Sequence, residues 1–422
     1  YSTHIVSIGF YNPEELGVVD TLEIDGNSGK IHASQYAIFI PQNDGDRESP
    51  KTDFTYVDIS DPKGDITVRG EIEVDGYLRD RFQMDHYKGM FRVVTQEMPQ
   101  WEKEDRFPSS TLRVIDARDP DDMKEISSLL IDDEGNLMAT RFAGERAYTI
   151  HLPESIDPLD VIDLSDPADP RLTDVLEIPG WVEHLEVIGE KIIAIGVDTE
   201  EERKVALYLF DVTDPENAVQ SDRVVIGEGY TYSQANWDEK ALTVLREEGL
   251  VSLPYTSYGQ NGYRGQTNGL QLISFDLEAG DLKVKGNIEG IGQISRSRIV
   301  NGNLVATSEN LLQSIDISDP DEPVVEGILE LAVDVRDVFI AEGKLVSVVM
   351  PPWGASGARI EVSEISTPFV DLLDIGPDGL DFESVNRIGN NVYIKGVRQG
   401  EGQEDSLVEV HRYDMSSPLD PV

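Results

Sequence analysis

The chain has 422 residues, 81 aspartates and glutamates against 35 lysines and arginines, a formal charge of −46 and no cysteine. Such a surface repels nucleic acid and anionic membranes, and the lack of thiols excludes disulfides, thiolate metal centres and a cysteine nucleophile. No apolar run reaches the ~18 residues of a membrane-spanning helix. Two sources of the acidity stand open: a high-salt or marine habitat, which we place first, and a need to hold divalent cations such as calcium. The chain opens on Tyr1 rather than methionine, which fits removal of a leader and a secreted, cell-surface or periplasmic protein.

In chain order, residues 3 to 9 and 17 to 24 read as two strands that lack a full sheet. One phrase then recurs: an apolar alternation ending in Asp, a small or polar residue, and Asp-Pro. Its clear copies are Tyr56–Pro62, Val114–Pro120, Val161–Pro167, Leu209–Pro215 and Ser314–Pro320. Weaker copies at Ile273–Glu278, Val362–Pro368 and His411–Pro418 bring the count to eight. The marker residues are Asp58, Asp116, Asp163, Asp211, Asp276, Asp316, Glu364 and Asp414, spaced by 40 to 65 residues. That period suits a four-stranded antiparallel unit with loops. Each marker reads as a turn cap, because a short carboxylate bonds back to nearby amides and the proline stops the strand ladder.

Eight segments read as first strands of successive units, around His32, Met84, Met138 to Phe142, Val182 to Val187, Tyr232 to Asn236, Ile294 to Ile299, Val335 to Ile340 and Phe382 to Ile388. The expectation is a single all-β domain over residues 1–422, a β-propeller of four-stranded blades closed by pairing of its terminal strands. Eight blades is the first reading. Seven plus an appendage stays open, because Leu407 to Asp414 offers a surplus strand.

Three stretches carry a family resemblance: Gly76–Asp85, Arg141–Tyr148 and Ile156–Pro167. Through them the chain resembles, over roughly residues 3 to 320, the uncharacterised secreted β-propeller proteins of bacteria and archaea that are distantly related to WD-repeat propellers. The resemblance implies export and a propeller, and brings no catalytic residues with it.

In such a blade the connections between second and third strands share one face with the inter-blade links. The long ones run over Gln42 to Phe54, Gln96 to Ser110, Ser252 to Gly269, Pro351 to Ala358 and Gly396 to Ser406, and length of this kind points to a role. Residues 252 to 269 read as a contact loop in which Tyr255, Tyr258, Tyr263 and Arg264 stand among glycines. Trp101 and Trp353 lie in two other loops, where packing on their own scaffold and contact with a partner weigh evenly.

Asp44, Asp46 and Glu48 place oxygens at alternate positions, a spacing that calcium accepts. The flanking pattern of a helix-loop-helix calcium site is missing, so a solvated acidic loop is the plainer account. Asp132 and Asp133 form a second acidic turn that also reads as a hairpin. Arg141, His184 and Arg298, on first strands, are candidates to line a central channel and meet an anionic ligand. The plainer account has these arginines, with Arg296, Arg336 and Arg387, pairing with carboxylates such as Asp157 or Asp337. The six histidines show no zinc spacing, and no nucleophile elbow, phosphate loop or dinucleotide fingerprint occurs. The sequence therefore favours a non-enzymatic binding scaffold for a protein or glycan at the cell surface, with no nucleic acid and no membrane insertion. A cation-dependent hydrolase or lyase assembled from several blades is the alternative.

Overall fold

The computed structural model describes all residues except 1, 10–16, 27, 47–48, 99–107, 133–134, 153–156, 179, 200–202, 259–266, 290–293, 309–310, 331–333, 351–358, 378–379, 399–406 and 422. The described residues form strands and three short 3-10 turns, with no α-helix. A two-stranded ribbon, Ser2–Gly9 with Gly17–Asp25, comes first. Sheets 1 to 4 follow, each of four antiparallel strands, over residues 32–75, 84–132, 136–178 and 181–226. Sheet 5 (231–289) carries an additional short strand, Thr243–Leu245. Sheets 6 (294–330) and 7 (334–375) again have four strands, and a C-terminal sheet (381–414) has three.

Neighbouring strands are antiparallel and run in sequence order, except in sheet 5, where Thr231–Tyr232 and Thr243–Leu245 both pair with Leu250–Ser257. Several first-to-second connections are two-residue turns with positive φ, such as Lys88-Gly89, Asn301-Gly302 and Glu342-Gly343. That handedness matches the twist of the strands they join. Every marker residue from Asp58 to Asp414 is the last residue of a third strand. Asp58, Asp116, Asp163, Asp211, Asp276, Asp316 and Asp414 each accept the amide two residues on, at 2.8 to 3.1 Å. The turn-cap reading therefore holds for seven markers, whereas Glu364 instead pairs with Lys344. The residue after the marker donates its own amide to the first hairpin turn of its sheet, as in Ala117 to Gly89, Leu164 to Glu145 and Val212 to Glu190. Both turns thus share one end of the sheet, and the second-to-third connections leave from the other.

Contacts group the chain into two compact units, residues 1–226 with 276–282, and 227–275 with 283–422. In the first unit, apolar faces of consecutive sheets meet. Phe39 of sheet 1 stacks on Phe91 of sheet 2 at 4.0 Å, and Tyr148, Ile150 and Leu159 of sheet 3 pack with Val182, Ile192 and Tyr208 of sheet 4. In the second unit, Leu270 and Leu272 of sheet 5 pack with Leu304 and Ile315 of sheet 6, and Val346 and Ile360 of sheet 7 with Val392 and Ile394 of the C-terminal sheet. Middle strands are covered on both faces, so they read as continuous apolar runs, such as Lys191–Asp198.

Fourth strands add a joint of their own. Register shifts break the ladder between Ser7 and Ile8, Val161 and Ile162, and Leu209 and Phe210, beside Asp20 on the second ribbon strand and Asp174 and Asp222 on the fourth strands of sheets 3 and 4. Oδ2 of Asp20 accepts the Ile66 amide at 2.8 Å, that of Asp174 the Ala218 amide at 2.6 Å, and that of Asp222 the Leu282 amide at 2.7 Å. Where the residue is smaller the contact reverses: the Ser127 hydroxyl donates to the Pro167 carbonyl at 2.6 Å, and the Gly286 amide to that of Pro320 at 2.8 Å. The second ribbon strand and each fourth strand in this series thus grip the turn that begins the fourth strand of the following sheet.

Candidate functional site

Two features stand out, one in each unit. In the first unit, the His32–Ala33 strand, the first strand of sheet 3 (Asn136–Ala143) and the 3-10 turn Arg81–Gln83 border a cavity of about 440 Å³. Its wall includes His32, Arg81, Phe82, Asp85, Arg141 and Phe142. The turn forms because Asp80 accepts the Phe82 amide and Gln83 reaches back to the Asp80 amide, a reciprocal cap. Buried Gln83 also donates to the Val94 carbonyl at 2.7 Å, so the turn is fixed to sheet 2 and presents Phe82.

Phe82 is flanked by two arginines and a histidine. The guanidinium carbon of Arg141 lies 4.7 Å from its ring centre, that of Arg81 4.9 Å, and the His184 ring 5.2 Å. Arg141 is also held by Glu186 at 2.8 Å, and Asp85 is taken up by Arg92. Burial, then Arg141, push the His184 imidazole down to about 4 against the weaker opposing pull of Glu186, so it is neutral at physiological pH. His32 is lowered as well, chiefly by burial.

In the second unit, four rings form a continuous run. Tyr230 stacks on Tyr258 at 5.8 Å and 26°, Tyr258 meets Tyr232 at 5.9 Å and 32°, and Tyr232 stacks on Trp237 at 5.5 Å and 27°. Offset contacts in this range contribute about 0.5–1.5 kcal/mol each. The Tyr258 amide donates to the Tyr230 carbonyl at 3.0 Å, and Thr231 and Tyr232 pair with Ser257 and Thr256. A second reciprocal cap, between Ser233 and Asn236, turns the chain so that Trp237 follows. The inner rings are partly covered, while the terminal ones, Tyr230 and Trp237, are 51% and 61% exposed.

The structure brings Arg141 and His184 together around Phe82, and Arg298, which belongs to the second unit, is exposed on the first strand of sheet 6. The carboxylate-pairing account of these arginines holds for Arg141, for Arg296 with Asp238 at 2.7 Å and for Arg387 with Asp337 at 3.3 Å. The position of Tyr255 corrects the contact-loop reading. It belongs to the strand Leu250–Ser257, is 6% exposed, and its hydroxyl accepts from Asn287 at 3.0 Å. The connection after it is thus 258–266, and Tyr263 and Arg264 lie outside the described residues, as do Trp101, Trp353, Glu48 and Asp133. Asp44 Oδ1 accepts the amides of Asp46 and Lys51 at 2.9 and 3.2 Å, a turn cap. Asp132 ends the last strand of sheet 2. Among the described residues no group of three or more acidic or histidine side chains is arranged to hold a metal, and no helix is long and apolar enough to cross a membrane. Sequence reasoning missed Phe82, Tyr230 and Trp237. The alternation Tyr230-Thr-Tyr232 was the available signal for the aromatic run.

A sequence model of the beta propeller domain family matches residues 2–320. The chain belongs to that family. This propeller is 30% identical over 174 residues to an uncharacterised protein of Methanocaldococcus jannaschii, covering 40% of this chain and 27% of that one. It is 30% identical over 223 residues to an uncharacterised protein of Archaeoglobus fulgidus, covering 53% and 32%. The propeller therefore matches about a third or less of the length of these relatives. Among solved structures, Saccharomyces cerevisiae Sqt1 aligns with a TM-score of 0.50 at 8% identity, over 86% of this chain and 88% of that one, a likeness of fold alone.

Proposed function

We propose that the propeller is a non-enzymatic, extracytoplasmic binding scaffold that captures a protein or glycan partner on the face from which the second-to-third connections leave. The observation that carries this reading is the aromatic run Tyr230–Tyr258–Tyr232–Trp237, whose two end rings are open to solvent. Exposed tryptophan and tyrosine supply large contact area at little entropic cost, and their truncation at an interface weakens binding strongly. The run adjoins the long connection after Ser257. The acidic surface, in turn, disfavours nucleic acid and anionic lipid as partners.

The test is binding of the labelled chain to a glycan panel and to purified envelope proteins of the source cell, for wild type and a Tyr230→Ala/Trp237→Ala double variant. The reading expects one class of partner and a loss of at least about tenfold in a variant that stays folded at the assay temperature, its melting temperature lowered by only a few degrees by the two lost ring contacts. No binder in either class, or equal binding by the folded variant, overturns it.

We further propose eight blades, with the strands at the two ends of the chain completing one of them. The chain has no cysteine of its own, so a single cysteine placed on each terminal strand would cross-link within one molecule if they pair. Absence of such a cross-link at several registers would count against closure.

A further inference from the structure

We propose that the aromatic run binds an uncharged glycan, a chain of pyranose sugars without carboxylate, sulfate or phosphate groups. This inference rests on the scaffold reading and deepens it by choosing between its two classes of partner.

The first argument is area. A protein partner of ordinary size needs about 800 Å² of each surface. From Gly227 to Ser257 the exposed large hydrophobic residues are Tyr230 and Trp237 alone, while aliphatic side chains such as Leu242, Leu245 and Leu253 are buried. Two aromatic rings a little over half exposed supply on the order of 250 Å² of contact. That is too little for the core of a protein interface and enough for a narrow ligand.

The second argument is shape. The four rings follow one another in single file, each inclined to the next by only 26 to 32°. They form a strip one ring wide, not the cage of steeply crossed rings that encloses a compact cation. A strip of flat rings matches a linear ligand built of rings of similar size. Its rings are also positioned before a ligand arrives, because main-chain pairing fixes Tyr230, Tyr232 and Tyr258 and the Ser233–Asn236 cap fixes the turn into Trp237. Such preorganisation lowers the ordering cost of binding.

The third argument is chemistry. An aromatic face is electron-rich, and the axial C–H groups of a pyranose make a flat, weakly positive face that lies against it. Sugar hydroxyls then project from the rim of the contact. Three of the four rings are tyrosines, whose hydroxyls both donate and accept hydrogen bonds. The strip thus offers apolar faces with polar tips, as a sugar does. Charge narrows the class further. Asp238, next to Trp237, is paired with Arg296 at 2.7 Å, and a chain of net charge −46 repels a polyanionic glycan.

The experiment titrates the full chain with cellohexaose, chitohexaose and mannohexaose, and with hexagalacturonate as the acidic counterpart, following heat of binding and tryptophan fluorescence at physiological ionic strength. At least one neutral hexamer should bind in the millimolar range or tighter. It should bind at least tenfold more tightly than its disaccharide, which covers only half of a strip four rings long. Trp237→Ala should weaken binding at least tenfold, Trp237→Tyr should recover most of the loss by restoring a flat ring, and Tyr230→Ala gives a second reading at the other end. Thermal melts verify that each variant is folded. No saturable binding of any neutral hexamer, no gain from disaccharide to hexamer, equal affinity for hexagalacturonate, or undiminished binding by both folded alanine variants overturns the proposal. Capture of an envelope protein that is lost in the Tyr230→Ala/Trp237→Ala variant, with no hexamer bound, overturns the glycan assignment and leaves the scaffold reading standing. A chain that captures neither class loses both.

Discussion

The carbonyl oxygen of Pro120 stands 2.1 Å from the point a Cβ on Gly70 would occupy. Gly70 lies on the fourth strand of sheet 1 and Pro120 in the Asp-Pro turn of sheet 2, so the backbone of one sheet rests directly on the turn of the next. A methyl group here meets backbone rather than a movable side chain. Gly70→Ala should therefore destabilise the chain by about 1–3 kcal/mol, the range of overpacking, read as a lower urea midpoint.

Asp174 performs the same task by hydrogen bonding. Its Oδ2 accepts the Ala218 amide at 2.6 Å and its Oδ1 the Val175 amide at 2.9 Å. Asp174→Ala leaves both donors to water or to nothing, at a cost of about 1–2 kcal/mol. Asn should recover part of it, since one oxygen remains. Equal stability of the alanine and wild-type chains in denaturant would show the joint to be idle.

The marker carboxylates make the fold acid-sensitive. Lys191, then the hydroxyl and amide of Thr213, hold Asp211 down at about 2. A carboxylate depressed in the folded chain adds stability above its unfolded value of about 3.9 and loses it as the pH falls toward the folded value. The stability difference between wild type and Asp211→Asn should be constant above about pH 5 and shrink between about pH 4 and 2. Thermal melts of both proteins across that window check it.

Within sheet 3, the buried His151 contacts Asp160 through Nδ1 at 2.8 Å, and Thr149 donates to the same carboxylate oxygen at 2.8 Å. Removing the acid strands two buried polar groups at once. Asp160→Ala is expected to cost about 2–4 kcal/mol, at about 1–3 kcal/mol for each buried polar group left unsatisfied, whereas Thr149→Val should cost far less. Chemical denaturation of the two variants gives the comparison.

Salt should raise the melting temperature, because the net charge of −46 makes the compact state repel itself and ions screen that repulsion. The expected outcome is that sodium chloride of matched ionic strength reproduces the effect of millimolar calcium. A calcium-specific shift after chelation would instead reveal a bound cation and promote the acidic loops around Asp44 and Asp132.

The markers could be read in advance because six of them combine a strand end, a cap and a helix-incompatible proline within a few residues, while Asp276 lacks the proline and Glu364 the cap. All of that information is local. The ends of the third strands follow directly, as at Asp58 and Asp414. Tyr255 was misread for an equally local reason. Pro254 marks a strand end in most settings, yet here it sits inside the ladder opposite Leu270, which carries the strand on through Ser257. The surroundings of Phe82 were legible only in part: Arg141 and His184 stood out as basic residues on first strands, but Phe82 and Arg81 did not, because these residues come from separate repeats and only folding gathers them.

The recurring joint between fourth strand and following turn bears on how such a chain can lengthen. Its two halves lie on neighbouring sheets, so a duplicated segment running from one turn to the next would carry a donor half at one end and an acceptor half at the other. Every copy would arrive with matching ends, as a tile does. Asp20 on the opening ribbon already offers such an end to sheet 1, so tandem duplication could have extended this architecture without inventing a new contact for each addition.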